Sequence, residues 1–164
     1  MQQTTENALI AYLTAEQARF YRLAYSYLKN QDDALDAVQT AVCRALEKQG
    51  GLRNPEALRP WFYHILVNAC LDLLRQRSKT VPFPEGTELE DPGQEDPAPA
   101  DESLARRVEA LPIEVGTVIR LRFYEELSLK EISAVTGVNL STVKSRLYAG
   151  LKKLRIAMEG AEDE

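Results

Sequence analysis

At 164 residues the chain has room for one or two small domains with modest cores. No run approaches the roughly 18 consecutive apolar residues of a membrane span, and the N-terminus, with Glu6 and no early Lys or Arg, does not resemble a secretion signal, so a cytoplasmic setting is expected. The cysteines, Cys43 and Cys70, have no CxxC partner, and the single histidine, His64, completes no zinc set with them. No metal and no cofactor are expected, and both cysteines are read as reduced core residues.

A net charge of −5 argues against a nucleic-acid binder until it is divided along the chain. Residues 1–79 hold ten basic and eight acidic residues, and residues 80–101 hold seven acidic and none basic. Residues 102–158 hold ten basic against six acidic, and the last six residues hold four acidic ones. Two mildly basic blocks therefore flank an acidic strap.

In chain order, Phe20, Leu23, Ala24 and Tyr27 form a first helical stripe. Ala34, Ala37, Val38, Ala41, Val42 and Ala45 form a second, with Asp32 and Asp33 ahead of it as candidate caps. Gly50, Gly51, Asn54 and Pro55 mark a loop. Leu58, Trp61, Phe62, Ile65, Leu66, Ala69 and Leu73 then give a longer helix, which places Trp61 and Phe62 in the core and leaves Tyr63 and Asn68 off the stripe, with His64 at a surface or boundary. The strap from Thr80 to Asp101 contains Pro82, Pro84, Pro92, Pro97 and Pro99 and reads as a linker. Beyond it, Leu104, Val108 and Leu111 make a short helix that Pro112 ends. Val115, Val118 and Ile119 continue in another that reaches about Tyr124. No period-two alternation and no internal repeat occurs, so the fold class is all-α: a helical domain over 1–79, a linker over 80–101 and a second helical domain over 102–164 with a short acidic tail.

The segment from Ser128 to Arg155 has the order short helix, glycine turn, second helix, the layout of a helix-turn-helix. Ser128 is placed to cap the first helix and the second begins near Ser141. Ile132, Val135, Val138, Val143, Leu147 and Leu151 can form the wedge between them. That leaves Ser141, Thr142, Lys144, Ser145 and Tyr148 facing outwards, where hydroxyls, helix-terminal amides and Lys144 or Arg146 suit phosphates and base edges. Lys152, Lys153 and Arg155 extend the positive potential.

LSLKEIS and STVKSRLYAGLKKLR resemble the helix-turn-helix with which sigma factors read the promoter −35 element. FYRLAYSYLKNQDDALDAVQ followed by WFYHILVNACLDLLRQR resembles sigma region 2. With only these two domains, over about residues 8–79 and 102–157, the chain resembles the extracytoplasmic-function class of the sigma-70 family. The resemblance implies no bond chemistry. It implies binding to core RNA polymerase, through the beta-prime clamp helices and the beta flap, and to promoter DNA. An anti-sigma partner, often membrane-tethered in that class, is implied as well, with no small-molecule substrate.

Residue by residue, the resemblance assigns Asp33, Asp36, Gln39 and Arg44 to core polymerase, with Thr40 standing where relatives often have Glu. Arg53, Asn54, Tyr63, Asn68, Arg75, Arg77 and Lys79 fall to the −10 element, where melted bases can stack on aromatic rings while arginines hold the backbone. Ser141, Thr142, Lys144, Ser145, Arg146 and Tyr148 fall to the −35 element. Many relatives place Arg directly after the recognition-helix aromatic; here Ala149 and Gly150 follow Tyr148, removing a DNA contact and lowering helix propensity. A free-standing helix-turn-helix regulator that dimerises on an operator is the alternative, and an adaptor that binds transcription machinery without reading DNA is a third reading. An enzyme has the least support, since no paired carboxylates, Ser-His or Cys-His arrangement or phosphate-cradling glycine loop is found.

Overall fold

The computed structural model describes the backbone of residues 2–52, 54–79 and 100–162, with side chains over 6–52, 54, 56–77 and 104–155. The greater part of the acidic strap, and Arg53, lie outside the described residues. No strand occurs among the described residues, and the all-α expectation holds.

Four helices make the N-terminal bundle: α1 (Gln2–Ala15), α2 (Gln17–Leu28), α3 (Gln31–Glu47) and α4 (Leu58–Lys79). In α3 the residues at spacings of three and four, Ala34, Ala37, Ala41 and Ala45, are fully buried. Because they carry only methyl groups, α3 can sit close against both α2 and α4. Its cap is Asn30, whose Oδ1 accepts from the Asp33 amide at 2.9 Å, an arrangement worth about 1 kcal/mol. Asp32 and Asp33, expected as caps, instead occupy the first turn, where their charge meets the positive end of the helix dipole. The centre of the bundle is aromatic: the rings of Phe20 and Phe62 lie 4.6 Å apart, with Tyr12 and Tyr63 edge-on to Phe20. Cys70 is buried as expected, and burial pushes its thiol pKa up to about 12. Cys43 corrects the reading of both cysteines as core: it stands beside the alanine stripe and is exposed.

The second domain is built from α5 (Ala100–Glu109), α6 (Ile113–Ile119), a π-turn (Arg120–Tyr124), α7 (Leu129–Thr136) and α8 (Leu140–Glu162). Ser128 and Glu131 form a reciprocal capping box at the start of α7, and Gly137 ends it in the left-handed region at φ 79°. Asn139 caps α8 by accepting from the Thr142 amide at 2.8 Å. Ile132, Val135, Val143 and Leu147 form the expected wedge, with Val138 packed beside it. Leu151 does not join them; it is exposed, and Leu154 is buried in its place. The spacing explains this, since Val143, Leu147, Gly150 and Leu154 follow the inner face of a straight helix and Leu151 drifts off it. The two domains touch. α2 meets α5, and α4 meets α7.

Candidate nucleic-acid interface

The buried side of α8 fixes which residues are left to face outwards. Ser141, Lys144, Ser145 and Tyr148 are exposed, and Thr142 and Arg146 are half-buried beside them. Tyr148 keeps 64 % of its surface free, more than a packing role would leave. Lys152, Lys153 and Arg155 continue the exposed basic ridge along the helix. The six residues expected at a −35 element therefore share one helix, with hydroxyls at its start and cations further along. Ser141 also donates to the Asn139 cap at 3.1 Å, which orients the first turn.

The residues expected at a −10 element are dispersed. Asn54 is exposed and its Oδ1 accepts from the Glu56 amide at 3.0 Å, closing the turn that precedes α4. Arg75 donates to Asp72 at 2.7 Å, and Arg44 reaches the same carboxylate at 3.4 Å. Arg77 binds Asp33 at 2.6 Å and the Leu28 carbonyl at 2.7 Å. Thus Asp33 and Arg44, expected to face polymerase, are linked to Arg77 and Arg75, expected to face DNA. Such half-exposed pairs contribute only about 0–1 kcal/mol, so a binding partner can displace them. Lys79 ends α4, and its side chain lies outside those described. Asp36 and Gln39 are exposed on the outer side of α3, beside an apolar groove lined by Ile10, Leu35, Val38, Val42 and Leu46.

Tyr63 departs most from expectation. Placed off the apolar stripe by spacing, it is only 1 % exposed, and its hydroxyl donates to Glu125 at 2.5 Å. Asn68 is exposed as expected, and its amide reaches His64 Nε2 at 3.2 Å. His64 Nδ1 in turn donates to the Val135 carbonyl at 2.7 Å, satisfying an otherwise orphaned group in the last turn of α7. Trp61 is half-buried and Phe62 fully buried, as the stripe implies.

A polar seam between the domains was not foreseen. Arg120 is 5 % exposed; its Nε donates to Ser26 Oγ at 2.8 Å and its guanidinium lies 4.3 Å from the centre of the Tyr27 ring. The Tyr27 hydroxyl pairs with Thr117 at 2.5 Å, and burial pushes its pKa up to about 12. Arg59 donates to the Glu125 carbonyl at 2.5 Å and Arg19 to the Tyr124 carbonyl at 3.2 Å. These partners lie 66 to 105 residues apart in sequence, beyond the reach of any helical periodicity.

Burial raises the Glu125 pKa above the ordinary glutamate range, against the lowering effects of the Tyr63 hydrogen bond and of Arg19, Arg22 and Arg59. A carboxyl raised in this way favours the packed state while protonated. Its contribution is complete below the ordinary range and is lost as pH rises through the raised value. The melting temperature of the native protein, measured relative to Glu125→Gln, is therefore expected to fall across that window and to level off above it. A difference that stays constant across the window would contradict the assignment.

Comparison with known proteins places both domains. The family model for Sigma-70 region 2 matches residues 12–80, and that for Sigma-70, region 4 matches residues 101–154. RNA polymerase sigma factor SigV of Bacillus subtilis (strain 168) is 45 % identical over 157 residues, covering 95 % of this chain and 94 % of that protein. ECF RNA polymerase sigma factor SigW of the same organism is 28 % identical over 152 residues, covering 84 % and 81 %. Among solved structures, the sigma factor RpoE of Bartonella quintana, in complex with the anti-sigma factor NepR, aligns with a TM-score of 0.75 at 22 % identity, over 91 % of this chain and 95 % of that one. CnrH, in complex with the cytosolic domain of CnrY, aligns at 0.72 and 18 % identity, over 97 % of both chains. These two structures support the all-helical architecture.

Proposed function

The chain belongs to the extracytoplasmic-function class of the sigma-70 family of RNA polymerase sigma factors, and on that premise we propose that it binds core polymerase and directs initiation at a defined set of promoters. The observation that carries this is the presence of both domains, in order, on one chain that is similar to a sigma factor over nearly its whole length. It works by contacts. The exposed ridge of α8, from Ser141 to Tyr148, reads the −35 element. The loop before α4 and the outer side of α4, with Asn54, Asn68, Arg75, Arg77 and Lys79, meet the −10 element. The outer side of α3, with Asp36 and Gln39 beside the apolar groove and Asp33 and Arg44 on the side toward α4, docks on polymerase, and an anti-sigma factor holds the protein inactive in the cytoplasm until a stress signal releases it. Tethering of that partner to the membrane is the finer form of the proposal.

Two experiments follow. Co-migration of the chain with core polymerase in gel filtration should be weakened by Asp36→Arg, on the outer side of α3; retention of full binding would move the docking face elsewhere. In gel shifts of the polymerase-bound protein on −35 duplex, Lys144→Ala is expected to weaken binding for all sequences and to reduce the salt slope by about 1. Ala149→Arg, at an exposed position on the same helix, should tighten binding. Equal affinity of native protein and Ala149→Arg at fixed salt would count against this placement of the interface.

A further inference from the structure

We propose that the cleft between α2 and α5 is a binding site for a nucleoside polyphosphate, with its phosphates held by Arg22 and Arg106 and its base laid against the Tyr25 ring. This does not depend on the sigma-factor reading, since none of these three residues belongs to the surfaces proposed for promoter DNA or polymerase. The cleft has a volume of about 800 Å³, within the roughly 300–1,000 Å³ of sites that take small molecules.

Its charge is unusual for this chain. The protein carries a net charge of −5, yet four cations, Arg19, Arg22, Lys29 and Arg106, line the cleft against two carboxylates. Both carboxylates are already engaged. Glu109 pairs with Lys29, while Glu125 is buried and accepts from the Tyr63 hydroxyl, so that Arg22 acts on it only through space. Arg19 is held by Glu16 at 3.4 Å and by the Tyr124 carbonyl at 3.2 Å. Arg22 and Arg106 are exposed, and neither forms a hydrogen bond or an ion pair among the described residues. Because α2 packs on α5, two guanidiniums from different helices share one concavity with no carboxylate left to neutralise them.

A phosphate chain answers this arrangement. A guanidinium presents paired N–H donors that match phosphate oxygens two at a time, and a concave cationic wall concentrates its field on a multiply charged ligand. A single carboxylate could satisfy one of the arginines; a run of phosphates can reach both. The cleft also has an aromatic wall, formed by Tyr21 and Tyr25 with ring centres 6.0 Å apart, and Tyr25 keeps 39 % of its surface free. An accessible ring beside cations offers a face on which a planar base can stack. Lys29 Nζ lies 5.6 Å from the centre of that ring, so the charged and aromatic parts of the cleft adjoin.

The test is calorimetric titration of the full-length protein, free of polymerase, with GTP, ATP, guanosine and inorganic tripolyphosphate. A nucleoside triphosphate is expected to bind more tightly than guanosine or tripolyphosphate. Arg22→Gln and Arg106→Gln should each weaken it about tenfold, the loss of one charge-assisted hydrogen-bonding group. Lys130→Gln removes an exposed cation outside the cleft and should leave affinity unchanged. Tyr25→Ala should weaken nucleotide binding about fivefold and leave tripolyphosphate binding as it was. Circular-dichroism melting without ligand should be unaltered in Arg22→Gln and Arg106→Gln, both exposed and unpartnered, so that a lost affinity reports the contact and not the fold. Neither nucleotide bound at about 1 mM, an equal loss in Lys130→Gln, or tripolyphosphate bound as tightly as the nucleotides with no effect of Tyr25→Ala would overturn the assignment. Displacement of GTP by a single-stranded oligonucleotide that binds more tightly and depends on Arg22 would overturn it too, and give the cleft to a nucleic-acid strand.

Discussion

Replacing Phe62 with alanine is expected to destabilise the N-terminal bundle by about 3–5 kcal/mol, a large part of the roughly 5–15 kcal/mol that holds a typical domain together. The Phe62 ring is fully buried, lies 4.6 Å from the centre of Phe20 and meets Tyr12 edge-on at 6.3 Å. Removing it takes away the transfer energy of the ring and leaves a void that α2 and α4 cannot close, because the fully buried alanines of α3 already bring the helices together. Urea unfolding of the full chain, followed by circular dichroism, measures the loss. Tyr148→Ala provides the contrast: at 64 % exposure its truncation should change stability by no more than about 0.5 kcal/mol while weakening duplex binding. A Phe62→Ala protein with native stability and impaired promoter opening would mean that the ring serves melted bases and not the core.

The second large effect is expected at Gly150. A Cβ built there would lie 2.8 Å from Ile119 Cγ1 and 2.9 Å from Val115 Cγ1, where α8 crosses α6. Gly150→Val should therefore destabilise the C-terminal domain by about 3 kcal/mol, the upper part of the usual range for overpacking. Alanine should cost less, because its helix propensity returns about 1 kcal/mol. Combining Gly150→Ala with Ile119→Ala removes the Ile119 contacts and leaves the 2.9 Å approach of Val115, so in that background alanine should cost less than it does in the native chain. If Gly150→Val unfolds at the native urea concentration, close packing of α6 on α8 is not what requires glycine.

Gly150 also illustrates what was legible in the sequence. Beside Ala149 it reads as a weak spot in a recognition helix, because propensity concerns one helix alone. Its purpose lies in the partner helix. The alanine stripe of α3, the Ser128 cap and the Gly137 turn were all readable, since each is a local matter of spacing, capping or backbone sign. Tyr63 was not, because spacing assigns α4 one apolar face whereas it is covered from two sides, by α2 and α3 on one and by α7 on the other. Buried residues consequently run almost continuously from Phe62 to Cys70, and a residue off the stripe can be as buried as one on it. α1 escaped notice for the opposite reason: among its described side chains, only Leu9 and Leu13 are buried, too few to establish a period. The candidate site divides in the same way. The exposed ridge proposed for the −35 element is carried by one continuous helix, so its outward residues could be read from spacing, whereas the polar seam joins residues too distant in sequence for any pattern to connect them.

The most direct measurement is transcription in vitro, with purified core RNA polymerase and a promoter library, scored by sequencing transcript starts with and without this protein. Starts that depend on the protein and share a paired −35 and −10 motif are the expected result. Specific binding to duplex DNA by the chain alone, with no specific starts in the presence of core polymerase, would contradict it and identify a free-standing regulator.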